Sequence, residues 1–329
     1  MKRIHYNFLI VLIFNRKMPV TQTFSSGQAM ERLSTRSHPA DTKAASGWLN
    51  GLLGVIIFSG SLPATRLAVA EFDPVFLTVA RATIAGLLGL CLLVLFGERR
   101  PGRHQLVPLA VVALGVVVGF PLLTALALQH VTAAHSIVFV GLLPLATAGF
   151  GVLRGGERPG PAFWFFSVLG SAVVVGFALA QGGGASVAGD LLMLLAILAC
   201  GLGYAEGATL SKTLGGWQVI SWALVLALPL MAVLSVCLAP ASFARISVPA
   251  WASLGYVAVF SMLVGFIFWY RGLAQGGIAA VGQLQLLQPF FGLALAATLL
   301  HEPVSPAMLG VTVGVIGCVA GARHFRPKP

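Results

Sequence analysis

Charge is what this chain lacks. Only 9% of its 329 residues are Asp, Glu, Lys or Arg, and nine of them are acidic. A soluble domain carries about 25% charged residues, so too few remain here to cover a water-facing surface. Cysteine is also scarce. Cys91, Cys200, Cys237 and Cys318 each lie inside an apolar run, with no CxxC and no Cys/His ligand spacing. That excludes a disulfide framework or a zinc site, and leaves the four thiols as expected small core residues. No GxGxxG or GK[ST] element occurs, which argues against nucleotide-driven work by this chain. The apolar runs hold one firm carboxylate, Glu206, one histidine, His135, and scattered serines without a GxSxG context. Paired carboxylates, a Ser/His pair or His/Asp metal ligands are therefore missing. The formal net charge of +11 comes without the aromatic-interleaved basic patches that suit single-stranded nucleic acid.

What the chain has is apolar length. It is 58% hydrophobic, and stretches near 20 residues recur along it. This is the pattern of membrane-spanning helices. Spans are expected at roughly 47–69, 74–96, 106–128, 131–153, 160–180, 188–210, 216–238, 250–270, 278–300 and 305–323. Lipid gives the backbone no hydrogen-bond partner, so each must be a helix. The runs are too long and continuous for barrel strands. The 39 glycines and 18 prolines are tolerable in spanning helices, because neighbouring helices satisfy the freed backbone groups.

Residues 1–46 are more polar and are expected to form a disordered cytoplasmic tail. Their apolar run FLIVLIF (8–14) is too short to span. Asn15-Arg16-Lys17 follows it where a signal peptide would have a small-residue cleavage site. Met1, Met18 and Met30 are alternative starts. With the N-terminus inside, seventeen of the 20 Lys and Arg residues fall on cytoplasmic segments. Arg66 and Arg245 fall outside, and Arg81 lies within a span. The positive-inside rule then places both termini in the cytoplasm of a multi-pass protein of the cell membrane.

A shift of 145 residues lays the fourth and fifth spans over the ninth and tenth. Pro144 falls on Pro289, Glu157 on Glu302, Pro161 on Pro306 and Gly176 on Gly321. The repeat unit, 47–181 against 188–323, holds five spans, with 324–329 as a C-terminal tail. Five is odd, so the second copy inserts upside down. The expected fold is an all-α integral membrane protein of ten helices in two inverted five-helix repeats. Such repeats are typical of secondary transporters with a site between the halves.

Three stretches carry a resemblance: DPVFLTVARATIAGLLGL (73–90), the duplicated Pro-x12-Glu frames, and GYAEGATLSK with GGWQVISWALVLALPL in the sixth and seventh spans. With the length, repeat and charge pattern, they make residues 47–323 similar to the EamA-type branch of the drug/metabolite transporter superfamily. The resemblance implies a ten-helix basket that moves small organic metabolites, such as amino acids or related compounds, often outward. It implies no cofactor. Family members often carry an aromatic-plus-small stretch in the first span; FSGSLPATRLA (58–68) has only Phe58 with Ser59, Gly60 and Ser61. The rival readings are an intramembrane lipid-modifying enzyme and a channel-like facilitator.

Glu206 lies about one turn short of the cytoplasmic edge of the sixth span. A carboxylate at a helix centre costs about 2.5–3.5 kcal/mol, and less near the interface. Two readings stand open: an interfacial residue near Lys212, or a pathway group that meets a cation or a coupling proton. Arg81 is the one basic residue well inside a span. It either reaches outward to Glu71 or Asp73, or faces the cavity and takes a substrate carboxylate. Gln285 and Gln288 share a helix face beside Pro289, whose ring disturbs the helix. Pro63, Pro144 and Pro289 are the candidate kinks. His135, Tyr204, Tyr270 and Trp269 complete the candidate pathway residues, and Gly203 and Gly207 form a small-xxx-small pair for close helix contact. The bilayer and a small metabolite are the expected partners, with a monomer or a homodimer both open. A fluorescent protein fused after Pro329 is expected to mature and an alkaline phosphatase fused there to stay inactive; the reverse pattern would overturn the topology.

Overall fold

The computed structural model describes residues 39–155, 160–180 and 186–324. Most of the tail, and Glu157 and Arg158, lie outside the described residues. The elements in order are α1 (Pro39–Ser59), α2 (Ser61–Val69), α3 (Pro74–Leu95), α4 (Arg103–Val112), a π-helical segment (Ala113–Gly119) and α5 (Phe120–Ala127). Next come α6 (Ala133–Val140), α7 (Leu143–Gly155), α8 (Pro161–Ala180), α9 (Val187–Ser211) and α10 (Gly216–Cys237). Then follow α11 (Val248–Gly255), a second π segment (Tyr256–Val264), α12 (Gly265–Gly276) and α13 (Ile278–Gly282). The chain ends with a 3₁₀ turn (Gln283–Leu287), α14 (Gln288–Leu299) and α15 (Pro306–His324). No strand occurs among the described residues. α1 starts at Pro39, inside the segment that the sequence reading assigns to the tail.

Seven described segments are long and apolar enough to cross a membrane: Ser46–Val69, Pro74–Leu95, Arg103–Ala127, Ala133–Arg154, Val187–Ser211, Gly216–Cys237 and Val248–Gly276. Four of them carry at their N-terminal ends the caps that orphaned N–H groups need. Asp73 Oδ1 accepts from Val75 N at 2.8 Å and Phe76 N at 3.0 Å. Thr132, Ser186 and Ser247 cap α6, α9 and α11 in the same way.

The helices are interrupted at specific places. The first segment breaks at Gly60, three residues before Pro63. The fourth breaks at residues 141–142, just before Pro144, and the chain before Pro289 tightens into the 3₁₀ turn. Proline removes an N–H and its ring clashes with the preceding turn, so these interruptions follow from sequence. The π segments do not. Each runs up to a glycine. A side chain at Gly119 would sit 2.5 Å from the Leu114 carbonyl oxygen, and one at Gly265 would sit 3.1 Å from that of Phe260. The widened turn swings a carbonyl into space that only glycine leaves free.

Packing relies on backbone approach, as expected where lipid supplies no hydrophobic drive between helices. α1 lies along α12 and α9 lies along α7. A methyl on Gly272 would come 2.7 Å from Gly51 N, and one on Gly47 would come 2.7 Å from Gly276 N. On α9, Gly201 meets the backbone of Ala146 and Thr147, Gly203 meets Val116, and Gly207 meets the Tyr270 ring. α3 pairs with α10, α8 with α15, and α6 with α14. Of the four cysteines, Cys200 and Cys318 are buried but Cys91 and Cys237 are exposed, which corrects the expectation of four core thiols. A thiol behaves as a small hydrophobe, and the outside of this bundle is as apolar as its inside.

Gly272→Ala is expected to destabilise the detergent-solubilised protein by about 1–3 kcal/mol, read as a lower melting temperature. Gly317→Ala, at a position facing open space, is expected to leave it unchanged or slightly higher. Equal melting of both variants would show that the α1–α12 approach is not tight.

Candidate functional site

At the centre of the bundle, three elements bring aromatic rings together. Phe58 comes from α1, Tyr204 from α9, and Phe266 and Trp269 from α12. Phe58 lies 5.0 Å from Phe266, 6.3 Å from Trp269 and 6.4 Å from Tyr204, between ring centroids. Tyr204 lies 5.5 Å from Trp269 and 5.8 Å from Phe266. The 3₁₀ turn and the start of α14 add Gln285 and Gln288. Gln285 is wholly buried and lies beside Tyr204. Neither of its amide atoms has a partner among the described residues. Gln288 donates weakly to the Phe58 carbonyl at 3.5 Å, and its Oε1 is unpartnered. Trp269 Nε1 is unpartnered as well.

Each such orphan costs about 1–3 kcal/mol when buried, and most buried polar groups avoid this. Four orphaned polar atoms beside an aromatic cluster make this centre the candidate site for a polar guest. Tyr270 differs: its hydroxyl donates to the Gly203 carbonyl at 3.1 Å, which ties α12 to α9. It acts as a strut.

One end of this centre is crossed by an ion pair and the other by a histidine–aspartate contact. Towards one end, Arg154 Nε donates to Glu206 Oε2 at 2.8 Å, which ties the end of α7 to α9. Glu206 is therefore buried against Arg154 and is not left beside Lys212. Nearby, Asn50 and Ser46 both donate to Gln275, and Gln218 donates to Glu98 at 3.3 Å. Towards the other end, His135 Nε2 meets Asp190 Oδ1 at 2.7 Å, joining α6 to α9. The His135 ring also packs on Phe139 and Phe177.

Glu302 completes that end. Its two carboxylate oxygens accept from Ala133 N at 3.2 Å and Ala134 N at 2.8 Å, where the helix dipole favours an anion. Arg66 lies 3.8 Å from Glu302 and donates to the Leu128 carbonyl. At the same end Glu71 accepts from Ser247 N and Ser247 Oγ. Those bonds, the hydroxyl's first, hold its carboxyl below the usual carboxylate range despite full exposure.

Sequence reasoning singled out Glu206, Gln285, Gln288, His135, Tyr204 and Tyr270, and the fold brings Tyr204 together with the two glutamines. His135 lies towards the Glu302 end and Glu206 towards the other. It missed Phe266, Arg154 and Asp190, which nothing local in the sequence marks. Phe58 was visible only as a lone aromatic. Glu302 was visible as a repeat marker but not as a helix cap. An apolar groove of about 450 Å³ also opens between α2, α11 and α14, lined by Gly60, Pro63, Ala64, Tyr256, Leu295 and Leu299 among others. Its lining offers little to orient a polar solute, so it is a weaker candidate than the aromatic–amide centre.

An all-helical multi-pass membrane bundle around a closed polar centre is the build of a membrane transporter. The chain belongs to the EamA-like transporter family, which matches residues 45–179 and again 187–322. It is 68% identical over 283 residues to an uncharacterized transporter, YdeK, of Bacillus subtilis (strain 168), covering 86% of this chain and 99% of that one. It is 24% identical over 278 residues to a protein of Streptantibioticus cattleyicolor named a probable terminal-alkyne amino-acid exporter, covering 81% of this chain and 90% of that one. A solved structure titled only "Crystal structure of protein" shares the fold with a TM-score of 0.64 at 20% identity, over 85% of this chain and 97% of that one. The family and these named relatives are transporters, not enzymes.

Gln285→Leu removes two orphaned atoms. It is expected to keep or raise the melting temperature and to cut transport at least about tenfold. A variant with normal transport would remove the amide from the site.

Proposed function

We propose that this chain is a secondary exporter of small organic metabolites of the amino-acid type, working by alternating access between two inverted five-helix halves. The observation that carries the reading is the orphaned amide–indole cluster in its aromatic cage. The cage draws on α1 from one family match and on α9, α12 and α14 from the other. The exporter name of the amino-acid relative supports the solute class and the direction.

Several features support the inverted halves. The two family matches are nearly equal in length. Both π segments fall at corresponding places, each against a glycine, Gly119 and Gly265. The interruptions before Pro144 and Pro289 correspond too. The helix pairs obey the same exchange: α1 lies on α12 as α9 lies on α4 and α5. Counting α8, α14 and α15 with the seven longer segments gives ten spans. The Lys and Arg distribution supports a cytoplasmic placement of both termini and of the Glu206 end.

Alternating access then follows from the two closures. Opening the cytoplasmic end separates Arg154 from Glu206. Opening the outer end separates His135 from Asp190 and frees Glu302 from α6. A proton on Glu206 would neutralise the carboxylate and release Arg154, so Glu206 is the coupling group of this reading. Protonation at Glu206 favours opening of the cytoplasmic end, and loss of the proton favours its closure.

The experiment is flux of labelled amino acids in proteoliposomes, with and without a pH gradient. In the wild type the gradient is expected to accelerate flux. In Glu206→Gln flux is expected to persist or slow, but without response to the gradient. An unaltered gradient response in the variant would end the coupling role. Failure of every solute to move in the wild type would end the substrate class.

A further inference from the structure

One buried charge is not used by either closure. Arg81, in α3, is only 5% exposed. Its Nε has no partner among the described residues, and its Nη2 makes one long contact, 3.5 Å to Ser261 Oγ. Ser261 Oγ lies 2.6 Å from Ser61 Oγ. The three side chains come from three different elements: Arg81 from α3, Ser61 from the first turn of α2, and Ser261 from the second π segment.

No carboxylate of the protein serves this cation among the described residues. Glu71 is taken by Ser247, Asp73 by the N-terminus of α3, and Glu98 by Gln218. Asp190 is taken by His135, Glu206 by Arg154, and Glu302 by α6 and Arg66. The outward reach to Glu71 or Asp73, one of the two sequence readings, is therefore not made. An arginine inside a span is paired or faces a pathway, and this one has no pair.

We infer that Arg81, Ser61 and Ser261 form an anion-binding subsite for the carboxylate of the transported solute. The inference rests on the transport reading above and specifies its substrate. A carboxylate meets the edge of a guanidinium through two parallel hydrogen bonds. Arg81 has that edge to offer, with a free Nε beside a weakly engaged Nη2. The two serine hydroxyls bond each other once, which leaves one O–H to donate to an anion.

The position fits the cage. Ser61 lies one helical turn from Phe58, and Ser261 about one turn from Phe266. A solute held by its carboxylate at Arg81 places a compact apolar or aromatic body among those rings and its amino group towards the glutamine amides. The class is a monocarboxylate with a small apolar or aromatic body, as in an α-amino acid. Ser61 follows the break at Gly60 and Ser261 lies in a π segment. Anion binding thus engages a helix that begins at a break and a π-helical segment, which couples solute charge to the closure of the site.

The test compares a panel of apolar and aromatic L-amino acids with their carboxamides in proteoliposomes. It is run in chloride and again in sulfate medium. Wild type is expected to prefer the acid over its carboxamide by roughly ten- to a hundredfold, equally in both media. Arg81→Gln is expected to lose that preference and Arg81→Lys to keep part of it. Equal handling of acid and carboxamide by the wild type would overturn the inference without any variant. A preference that survives in Arg81→Gln would overturn it too. A chloride dependence present in the wild type and absent in Arg81→Gln would assign the subsite to an inorganic anion and overturn the carboxylate. If no member of either panel moves, the amino-acid substrate class of the proposed function fails, and this inference with it.

Discussion

A bilayer offers the backbone and the polar side chains nothing to bond to. Every structural feature of this protein is a response to that constraint. The backbone closes its own bonds in helices. The helix ends carry Asp, Thr and Ser caps. The hydroxyls of Thr78, Thr83, Thr124 and Ser211 bond back to carbonyls one turn earlier. A few buried hydroxyls, those of Ser136, Thr147, Ser221 and Thr312, are left unpartnered, and so are larger groups. Gln285, Gln288 and Trp269 lie in the centre, and Arg81 reaches Ser261. A membrane protein tolerates such groups where a solute, rather than the protein, is the partner.

The same constraint shapes how the bundle can move. Lipid-facing and helix-facing surfaces are equally apolar, so helices are held by close backbone approach and by a few polar ties. The ties are unevenly placed. Glycines fix α1 on α12 at several levels, and Gly201 brings α9 onto α7. The Arg154–Glu206 ion pair and the His135–Asp190 contact sit towards the two ends, between α7 and α9 and between α6 and α9. Both act on α9, the helix that also supplies Tyr204 to the cage. A change at either end therefore reaches the centre through one rigid element, with interruptions before Pro144 and Pro289 able to absorb the bend.

The sequence was explicit about periodic and compositional matters. Apolar runs near 20 residues specify spanning helices because lipid permits little else. Prolines marked the interruptions because the missing N–H is a local fact. Gly203 and Gly207 marked close contact, and the duplicated Pro-x12-Glu frames marked the repeat. The π segments were not legible, because they depend on a carbonyl finding room over Gly119 and Gly265 in the packed bundle. Nor were the exposed thiols of Cys91 and Cys237, since burial in an apolar solvent leaves no compositional trace.

Candidate side chains were visible singly, and their partnerships were not. Glu206, Arg81, His135 and Gln285 announce themselves as polar groups in apolar runs, which needs only the sequence. Whether each is paired is a question of distance between helices far apart in the chain. The fold gave Glu206 to Arg154 and His135 to Asp190, and left Arg81 without a carboxylate and Gln285 without a hydrogen-bond partner among the described residues. Composition determined that this protein lives in a membrane and which residues are costly there. Tertiary structure alone decided which of those costs are offset within the protein, because a partner 50 or 180 residues away becomes a neighbour only when the helices pack.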